Sequence, residues 1–426
     1  MRPTGSRHAV LAGFLGWTLD AFDFFVVVFL LDTLAAAFHV SKGRIIFTLT
    51  ITLVFRPVGA IIFGLLADRF GRRAPLMANV IYFSIIELLS GCATNFTQFI
   101  ILRALFGIGM GGEWGVGASL ALEQTPRRWR GVLSGILQSG YSIGYLIAAV
   151  VARALVPHWR WMFWLGALPA LLALYIRSKV PESPAWEEHR VGSLSAIGRV
   201  VASQTKGFAY LVVLMTFMMF LSHGTQDLFP DFLKHDRGIA EKTVPYVLII
   251  ANIGAVVGAI IFGHLSQKIG RRYSMIGALA LSLCLIPLWA FGQTLVVLAV
   301  AAFVMQMGVQ GAWGIIPVHL NELAPDSARG LLPGLAYQLG IFFAAPTNTI
   351  QHALSERFGY SWAMAGYEIV VIITLAIILA FVGVKMLGER FFHLDVGVSL
   401  AVVLSVLAVS VVASVVWPKE ADERAD

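Results

Sequence analysis

Two carboxylates and an arginine lie inside the first two long apolar runs of the sequence. Asp20 and Asp23 are three residues apart, so a helix places both side chains on one face. Neighbouring carboxylates repel each other, and one of the two is expected to hold a proton near neutral pH. This is the chemistry of a proton carrier. The alternative is that one carboxylate only neutralises the charge of Arg56 in the next run.

Arg56 lies near the middle of the second apolar run, at a depth similar to that of Asp20. A guanidinium stays charged at any accessible pH and can hold a carboxylate through two parallel hydrogen bonds. An anionic substrate is the economical explanation for such a residue in an apolar segment. A structural ion pair with Asp20 or Asp23 is the alternative, and the two kinds of pairing can alternate within one functional cycle.

A third acidic residue, Glu113, lies among glycines in the fourth apolar run. The surrounding glycines predict close helix packing. Glu113 itself is either a further proton-carrying site or the partner of an arginine in a loop. Arg103 in the same run is expected to have a structural or coupling role.

The seventh apolar run contains a polar cluster, made of Ser222, His223, Thr225, Gln226 and Asp227. His223 and Asp227 are four residues apart and share one helix face, which must point to a cavity or to another helix. Histidine titrates near neutrality, and the uncharged groups can bind a small carboxylate or hydroxyl. A hydrolytic role is excluded because one helix face supplies no nucleophile held against a base and oxyanion donors. The cluster is therefore predicted to bind substrate.

The composition shows what surrounds these residues. The chain has 426 residues, of which 58% are hydrophobic and 13% charged, and its mean hydropathy is +0.80. Soluble domains carry about 25% charged residues, whereas a membrane-crossing helix needs about 20 mostly apolar ones. The apolar runs are unbroken and lack the alternation of a transmembrane barrel. A polytopic helical membrane protein is predicted, and a water-soluble enzyme is excluded.

Twelve apolar runs are separated by short polar segments, and a thirteenth follows at 396–417. Lys and Arg residues of the short loops concentrate on the side of the N-terminus, which predicts a cytoplasmic N-terminus. The net charge of +7 is therefore a topology signal, and no nucleic-acid partner is expected. The two cysteines, Cys92 and Cys284, have no metal-ligand spacing, so neither a metal nor a cofactor is expected.

The sequence contains an internal repeat. The segment Gly64 to Arg73, GLLADRFGRR, recurs 199 residues later as Gly263 to Arg272, GHLSQKIGRR, and the register persists beyond it. Such a repeat predicts two homologous six-helix halves with a substrate site between them near mid-membrane. The expected units are an N-terminal bundle, a cytoplasmic linker, a C-terminal bundle, and a final helix with an acidic tail: 1–179, 180–206, 207–384 and 385–426.

The loop of the first repeat copy is predicted to act as a gate. Asp68 can cap the end of a neighbouring helix or pair with arginines when the cytoplasmic side closes. The gating residues are expected to be Asp68, Arg69, Gly71, Arg72 and Arg73. Plain topology anchoring is the alternative for the arginines. Gln267 replaces Asp68 in the second copy, so a charge latch there is expected to be weaker.

This loop, with its weaker copy, resembles the signature of the major facilitator superfamily. Arg103-Ala-Leu-Phe-Gly107 is similar to the second motif of that family, and Pro181-Glu-Ser-Pro184 is similar to the end of the first half in sugar-porter-like members. The resemblance covers about residues 8–384. It implies an all-α membrane protein with two pseudo-symmetric six-helix bundles and transport by alternating access.

The cluster of the seventh run is similar to a motif of Jen-type monocarboxylate/proton symporters, whose arginine in the second span would be Arg56. Met219 and Asp231 stand where that motif has Asn and Thr, so substrate selectivity is not carried over. The sequence from Gly16 to Phe25 resembles the opening span of that group and of sialate/proton symporters. The resemblance implies a symporter of the sialate/lactate branch.

These observations predict proton-coupled symport of a small organic anion, such as the monocarboxylates lactate or pyruvate. The substrate would be held by Arg56 and the seventh-run cluster, and the proton by Asp20, Asp23 or Glu113. A sialic acid/proton symporter and a facilitator for a neutral sugar or osmolyte are the alternatives. No nucleotide-binding loop is found, so an ionic driving force is expected. We expect a monomer in a cell membrane, most economically a bacterial inner membrane.

Overall fold

A computed structural model of the protein describes residues 3–155, 158–188, 199–200 and 202–388. The predicted helix at 396–417, the acidic tail and part of the linker lie outside the described residues. The first half contains α1 (Pro3–Phe29), α2 (Lys42–Phe70), α3 (Arg73–Gly91), α4 (Phe96–Glu123), α5 (Arg130–Leu155), α6a (Trp159–Leu165) and α6b (Pro169–Lys179). The second half contains α7 (Thr205–Gln226), α8 (Val244–Ile269), α9 (Arg271–Phe291), α10a (Leu295–Trp313), α10b (Ile316–Leu323), α11a (Leu332–Ala344), α11b (Thr347–Phe358) and α12 (Tyr360–Gly388).

Ten helices of the described part are long and apolar enough to cross a membrane. The sixth and eleventh runs are each broken into two helices too short to be among these ten, at Pro169 and at Pro346, whereas α10a and α10b together count as one span. Proline has no backbone N–H and cannot continue the hydrogen-bond ladder of a helix. Large apolar side chains such as Ile85, Val150 and Val296 are exposed on the outside, as lipid contact requires. The predicted all-α membrane fold is confirmed.

The two halves use equivalent glycines to bring helices together. Gly59 of α2 lies against the backbone of Ile108 in α4, and Gly258 of α8 lies in the same way against Met307 in α10a. These positions are repeat mates, which means that they are related by the 199-residue offset of the internal repeat. A side chain at either glycine would overlap the facing carbonyl, so α2–α4 and α8–α10a pack with their backbones in contact. In α4 itself, Gly107 and Gly111 lie against the backbone of Thr52 and Arg56 of α2, which confirms the predicted close packing by the glycines of this helix.

The starts of α4 and α10a are also repeat mates. The Asn95 side chain accepts a hydrogen bond from the Gln98 N–H (2.9 Å), and the Thr294 hydroxyl accepts one from the Val297 N–H (3.3 Å). Each bond satisfies one of the N–H groups that the first turn of a helix leaves unpaired. The two halves therefore share the capping chemistry that fixes where these helices begin.

The end of the bundle that carries Arg69, Arg72 and Arg271 is called the basic side below. Toward this side, glycines bring the two halves into contact. Gly64 lies against Leu331. Two glycine pairs also meet across the interface: Gly115 with Gly334, and Gly131 with Gly263.

Replacing Gly59 with Val is expected to destabilise the protein by about 3 kcal/mol, the upper end of the usual cost of overpacking, because a new side chain overlaps the Ile108 backbone rather than a movable side chain. The measurement is the monodisperse fraction and melting temperature of the purified protein in detergent. Gly277→Val is the matched control, since no heavy atom of the described residues lies within 4 Å of its added Cβ. Equal melting temperatures for the two variants would contradict the packing.

Candidate functional site

Asp68 joins the two halves on the basic side. Its carboxylate accepts hydrogen bonds from the backbone N–H groups of Gly330 (2.8 Å) and Leu331 (3.0 Å), which lie at the start of α11a. It also pairs with Arg72 Nη1 at 2.6 Å, and both side chains are buried. A carboxylate at a helix N-terminus satisfies unpaired N–H groups and interacts favourably with the helix dipole. Asp68 therefore makes both of the interactions that the sequence predicted.

The other predicted gating residues lie where α2 ends and α3 begins. Arg72 Nη2 donates to the Asp326 carbonyl of the second half at 3.1 Å. Gly71 has φ of 100°, a left-handed conformation that favours glycine. Arg73 donates its backbone N–H to Glu182 of the linker at 3.1 Å, and the guanidinium of exposed Arg69 lies 5.0 Å from the Phe70 ring centroid. Asp68 and Arg72 thus bond the opposite half, while Gly71 shapes the loop.

The second repeat copy forms a weaker version of this latch. Gln267 accepts one hydrogen bond from the opposite half, from the Gly131 N–H at 3.2 Å, where Asp68 accepts two. Gly131 is the repeat mate of Gly330. Gln267 also accepts from Arg271 at 3.0 Å, and Arg271 pairs with Glu322 at 2.9 Å. Bonds to a neutral amide are weaker than bonds to a carboxylate, which agrees with the predicted difference between the copies.

Further hydrogen bonds between the halves join Ser119 to the Arg329 carbonyl and Ser134 to the Val318 N–H. Among the described residues, the hydrogen bonds between the halves lie between the middle of the molecule and the basic side. In contrast, His223 and Asp227 are 39% and 30% exposed. In the described part of the chain, the two halves are therefore bonded together toward the basic side, and no hydrogen bond joins them on the opposite side.

The three predicted proton-carrying residues are buried in the first half. Asp20, Asp23 and Glu113 are at most 1% exposed, and none of their carboxylate oxygens has a hydrogen-bond partner among the described residues. Glu113 lies directly against Gly16 of α1, and Asp23 lies against Gly166 at the break in α6. In the described part of the chain, Glu113 makes no bond to a loop arginine, so that alternative is not realised in this conformation.

Arg56 is 3% exposed, and its Nε and Nη2 atoms have no hydrogen-bond partner in the described residues. Its guanidinium carbon lies 5.9 Å from the ring centroid of Tyr337 in the other half. Its charge acts on Asp20 from its own half and on His223 from the other half. No ion pair within 4.0 Å joins Arg56 to Asp20 or Asp23 in the described part. The guanidinium is thus left with donors available to an anion.

The α7 cluster faces the cleft on one side and α10a on the other. His223 Nδ1 and Asp227 Oδ2 are 3.1 Å apart. Gln226 donates to Gln306 Oε1 at 3.0 Å, and Gln306 donates to the buried Thr225 hydroxyl at 3.1 Å. These bonds fix the amide of Gln226 beside the exposed histidine–aspartate pair. The structure therefore brings the predicted α7 residues together around one edge of the cleft.

Two glutamines of α10a were missed by the sequence reasoning. Besides Gln306, Gln310 donates from Nε2 to the Ser222 hydroxyl at 3.3 Å. Both are nearly buried and lie four residues apart, on one helix face. The sequence does mark these two residues, because their amide side chains interrupt an apolar run at the repeat mates of Gly107 and Gly111.

An aromatic cluster lies between Arg56 and the gate. The rings of Trp114 and Tyr337 stack across the two halves with centroids 4.2 Å apart. Trp17 packs against both rings and stacks on Tyr141 at 5.5 Å. Tyr337 lies one helical turn from the Gly115–Gly334 contact. The cluster forms an apolar floor beneath the guanidinium and separates it from the closed basic side.

Arg103 makes contacts of a structural kind. It donates to Glu87 Oε1 at 2.9 Å and to the Ser90 hydroxyl at 2.5 Å, and both charged side chains are fully buried. Its guanidinium carbon also lies within 5.4 Å of the ring centroids of Phe99 and Phe106. These contacts favour the structural reading of this arginine over the coupling one.

Two related helical halves that pack together across a membrane-spanning bundle are the architecture of a membrane transporter. A sequence model of the Major Facilitator Superfamily matches residues 13–345. The chain belongs to this family, and it is a transporter and not an enzyme.

The chain is similar to several named proteins over most of its length. The Saccharomyces cerevisiae carboxylic acid transporter protein homolog is 29% identical over 419 residues, covering 90% of this chain and 68% of the yeast protein. The Escherichia coli sialic acid transporter NanX is 28% identical over 390 residues, covering 90% of this chain and 95% of NanX. The crystal structure of the human organic anion transporter MFSD10 shares the fold, with a TM-score of 0.72 and 17% identity over 89% of this chain and 100% of that one.

Replacing Asp68 with Asn is expected to favour opening of the basic side. Each charge-assisted hydrogen bond that is lost weakens the closed state by about 1.5–3 kcal/mol. The measurement is the distance distribution between spin labels at exposed Trp129 and Tyr273, in protein whose two cysteines are replaced by serine. A shift to longer distances is expected. Arg69→Gln is the matched control, and a distribution for Asp68→Asn identical to that of the parent would contradict the latch.

Proposed function

We propose that the protein is a proton-coupled symporter of a small organic anion, in particular a monocarboxylate such as lactate or pyruvate. The observation that carries this proposal is the buried Arg56 guanidinium, two of whose nitrogen atoms lack partners among the described residues. A charge buried without a partner is unfavourable in a membrane, so such a site favours an incoming anion. The His223–Asp227 pair and Gln226 would complete the site from the second half.

The proton is proposed to bind the unpartnered carboxylates of the first half. Asp20 is the leading candidate because Arg56 is the charge that acts most strongly on it, whereas the charge that acts most strongly on Glu113 is Asp20 itself. When Asp20 is ionised, it competes with the substrate for the guanidinium charge. When Asp20 is protonated, the guanidinium becomes available to the anion. Proton and substrate would therefore load together, with Asp23 and Glu113 as further acceptors.

Binding the proton and the anion together also removes the free-energy cost that the membrane potential imposes on the anion alone. Moving one net charge across 100 mV changes its free energy by about 2.3 kcal/mol, whereas an anion with one proton crosses as a neutral pair. Release would follow when the latch formed by Asp68 and Arg72 opens and the aromatic floor separates. No cofactor or metal has a part in this cycle.

We also propose that the basic side faces the cytoplasm, because cytoplasmic loops of membrane proteins are enriched in Lys and Arg. The described conformation would then be open to the outside, and the N-terminus would be cytoplasmic. A monomer is sufficient for this cycle, since the cleft lies between the two halves of one chain. A bacterial inner membrane is the proposed location.

The named relatives support an organic acid as substrate. One is named as a carboxylic acid transporter homolog and the other as a sialic acid transporter. A sialic acid/proton symporter is therefore the second candidate, and the amides of Gln226 and Gln310 are suited to the hydroxyl groups of such a substrate. A facilitator for a neutral sugar or osmolyte is disfavoured, because it would leave the buried charge of Arg56 without a partner in this conformation.

Uptake into proteoliposomes tests the proposal. An acidic exterior is expected to drive accumulation of radiolabelled lactate or pyruvate, with sialic acid as the competing substrate. Accumulation is expected to collapse when a protonophore dissipates the pH gradient. Anion uptake that does not respond to the gradient would rule out symport, and uptake of a neutral sugar alone would favour the facilitator.

Replacing Arg56 with Ala is expected to lower anion uptake by about 100-fold or more, since two charge-assisted hydrogen bonds to the carboxylate are lost. Arg56→Lys is expected to retain partial uptake, because lysine keeps the charge but cannot form the two parallel bonds. Initial rates in proteoliposomes, at equal amounts of reconstituted protein, provide the measurement. Arg153→Ala, at an exposed position, is the control, and normal uptake by Arg56→Ala would refute the anion site.

A further inference from the structure

A buried carboxylate in the second half takes no part in the cycle described above. Glu368 lies in α12, it is fully buried, and neither carboxylate oxygen has a hydrogen-bond partner among the described residues. An ionisable side chain at such a depth costs about 2.5–3.5 kcal/mol or more, so an apolar residue would suit the position better if packing were its only role. Its presence therefore calls for a chemical explanation.

Glu368 lies against the α7 turn that carries the predicted substrate residues. Its Oε1 atom contacts Gly224, whose missing side chain leaves the space that the carboxyl group occupies. The same glycine accepts a hydrogen bond through its carbonyl from Gln351 Nε2 at 2.8 Å. His223, which is exposed to the cleft, is the preceding residue. The carboxyl group and the cleft are thus separated by the backbone of one glycine-containing turn.

No charged group neutralises Glu368 in the described part of the chain. The Asp236–Ser361 hydrogen bond lies seven residues, or two helical turns, before Glu368 along α12. His352 pairs with Glu356 on the exposed face of α11b. The charged and titratable groups on the elements packed against α12 are Lys206, Tyr210 and His223 on α7, with Asp227 directly after it; Arg271, Arg272, Tyr273 and Cys284 on α9; His352, Glu356 and Arg357 on α11b; and Lys234, His235 and Asp236 in the segment Phe232–Asp236.

A carboxyl group in this environment is stable as the neutral acid. Glu368 and the α7 turn belong to the same half, so the packing of α12 on α7 is kept when the halves move, and what changes with the direction of opening is the hydration of the cleft on the other side of the Gly224 turn. An acid that is dry in one conformation and hydrated in the other binds a proton on one side of the membrane and releases it on the other.

We propose that Glu368 carries a second proton in each transport cycle, in addition to the proton held in the first half. Its carboxyl group would lose H⁺ to water when the cleft opens to the basic side, and the carboxylate would regain H⁺ before the cleft opens again to the opposite side. This inference rests on the proposed symport. A monoanion then crosses with two protons, and one net positive charge moves with each substrate.

The test separates the effect of membrane potential from that of the pH gradient. Proteoliposomes loaded with potassium take up radiolabelled lactate, or whichever of pyruvate and sialate the unmodified protein accepts, under a pH gradient. Valinomycin then imposes an interior-negative potential of about 100 mV. For two protons per anion, the accumulation limit is expected to rise by about 50-fold, which corresponds to about 2.3 kcal/mol.

Glu368→Gln keeps the shape of the side chain and removes the proton site. It is expected to retain uptake driven by the pH gradient and to lose the response to valinomycin. Glu368→Asp is expected to keep that response. Thr374→Val is the matched control on the same helix, because the Thr374 hydroxyl is buried and, among the described residues, donates to the Val370 carbonyl of its own helix alone.

The outcomes distinguish this inference from the proposed function. If the unmodified protein accumulates the anion under a pH gradient but ignores the potential, or if Glu368→Gln still responds to it, the second proton is refuted and symport stands. If Glu368→Gln also loses exchange of labelled for unlabelled anion, the residue is structural and the inference fails. If the pH gradient drives no uptake in the unmodified protein, the proposed symport itself fails.

Discussion

A buried positive charge that the protein leaves largely unsatisfied is the constraint on which the other features of this transporter depend. The Arg56 guanidinium lies between the two halves, two of its nitrogen atoms have no partner in the described residues, and an aromatic ring of the opposite half lies beside it. In a medium of low dielectric constant, such a charge is stabilised only by an ion that arrives or by a carboxylate that ionises. The carboxylates of the first half and the polar residues of α7 gain their significance from that requirement.

Closure of the cleft is achieved mainly by backbone groups. Asp68 receives two backbone N–H groups at the start of α11a, and facing glycines allow the halves to touch nearby. Because these contacts involve a helix terminus and not flexible side chains, they have a defined closed geometry and are broken together. The aromatic stack of Trp114 on Tyr337 lies between this latch and the charge, so closing the latch also excludes water beneath the site.

Much of this architecture could be predicted from the sequence because the signals are local or repeated. Long apolar runs specify helices, the 199-residue offset indicates two related halves, and the position of Asp68 at the end of the second apolar run predicts a latch. The breaks in the sixth and eleventh runs were not predicted, although Pro169 and Pro346 mark them. The hydrogen-bonded partners of the α7 cluster were not predicted either. Gln306 and Gln310 lie far from α7 in the chain, and only the three-dimensional packing of α10a on α7 brings them together. The unpartnered state of Glu368 was likewise invisible, since a carboxylate in an apolar run does not reveal whether a cation faces it.

Proton uptake on substrate binding tests the central claim most directly. The purified protein is held in weakly buffered detergent solution with a pH indicator, near neutral pH, and lactate or the alternative anion is added. The account predicts that anion binding at Arg56 is accompanied by uptake of protons from solution, and that Arg56→Ala abolishes both binding and the pH change. Tight anion binding that leaves the pH unchanged across the neutral range, or anion binding that survives in Arg56→Ala, would contradict it.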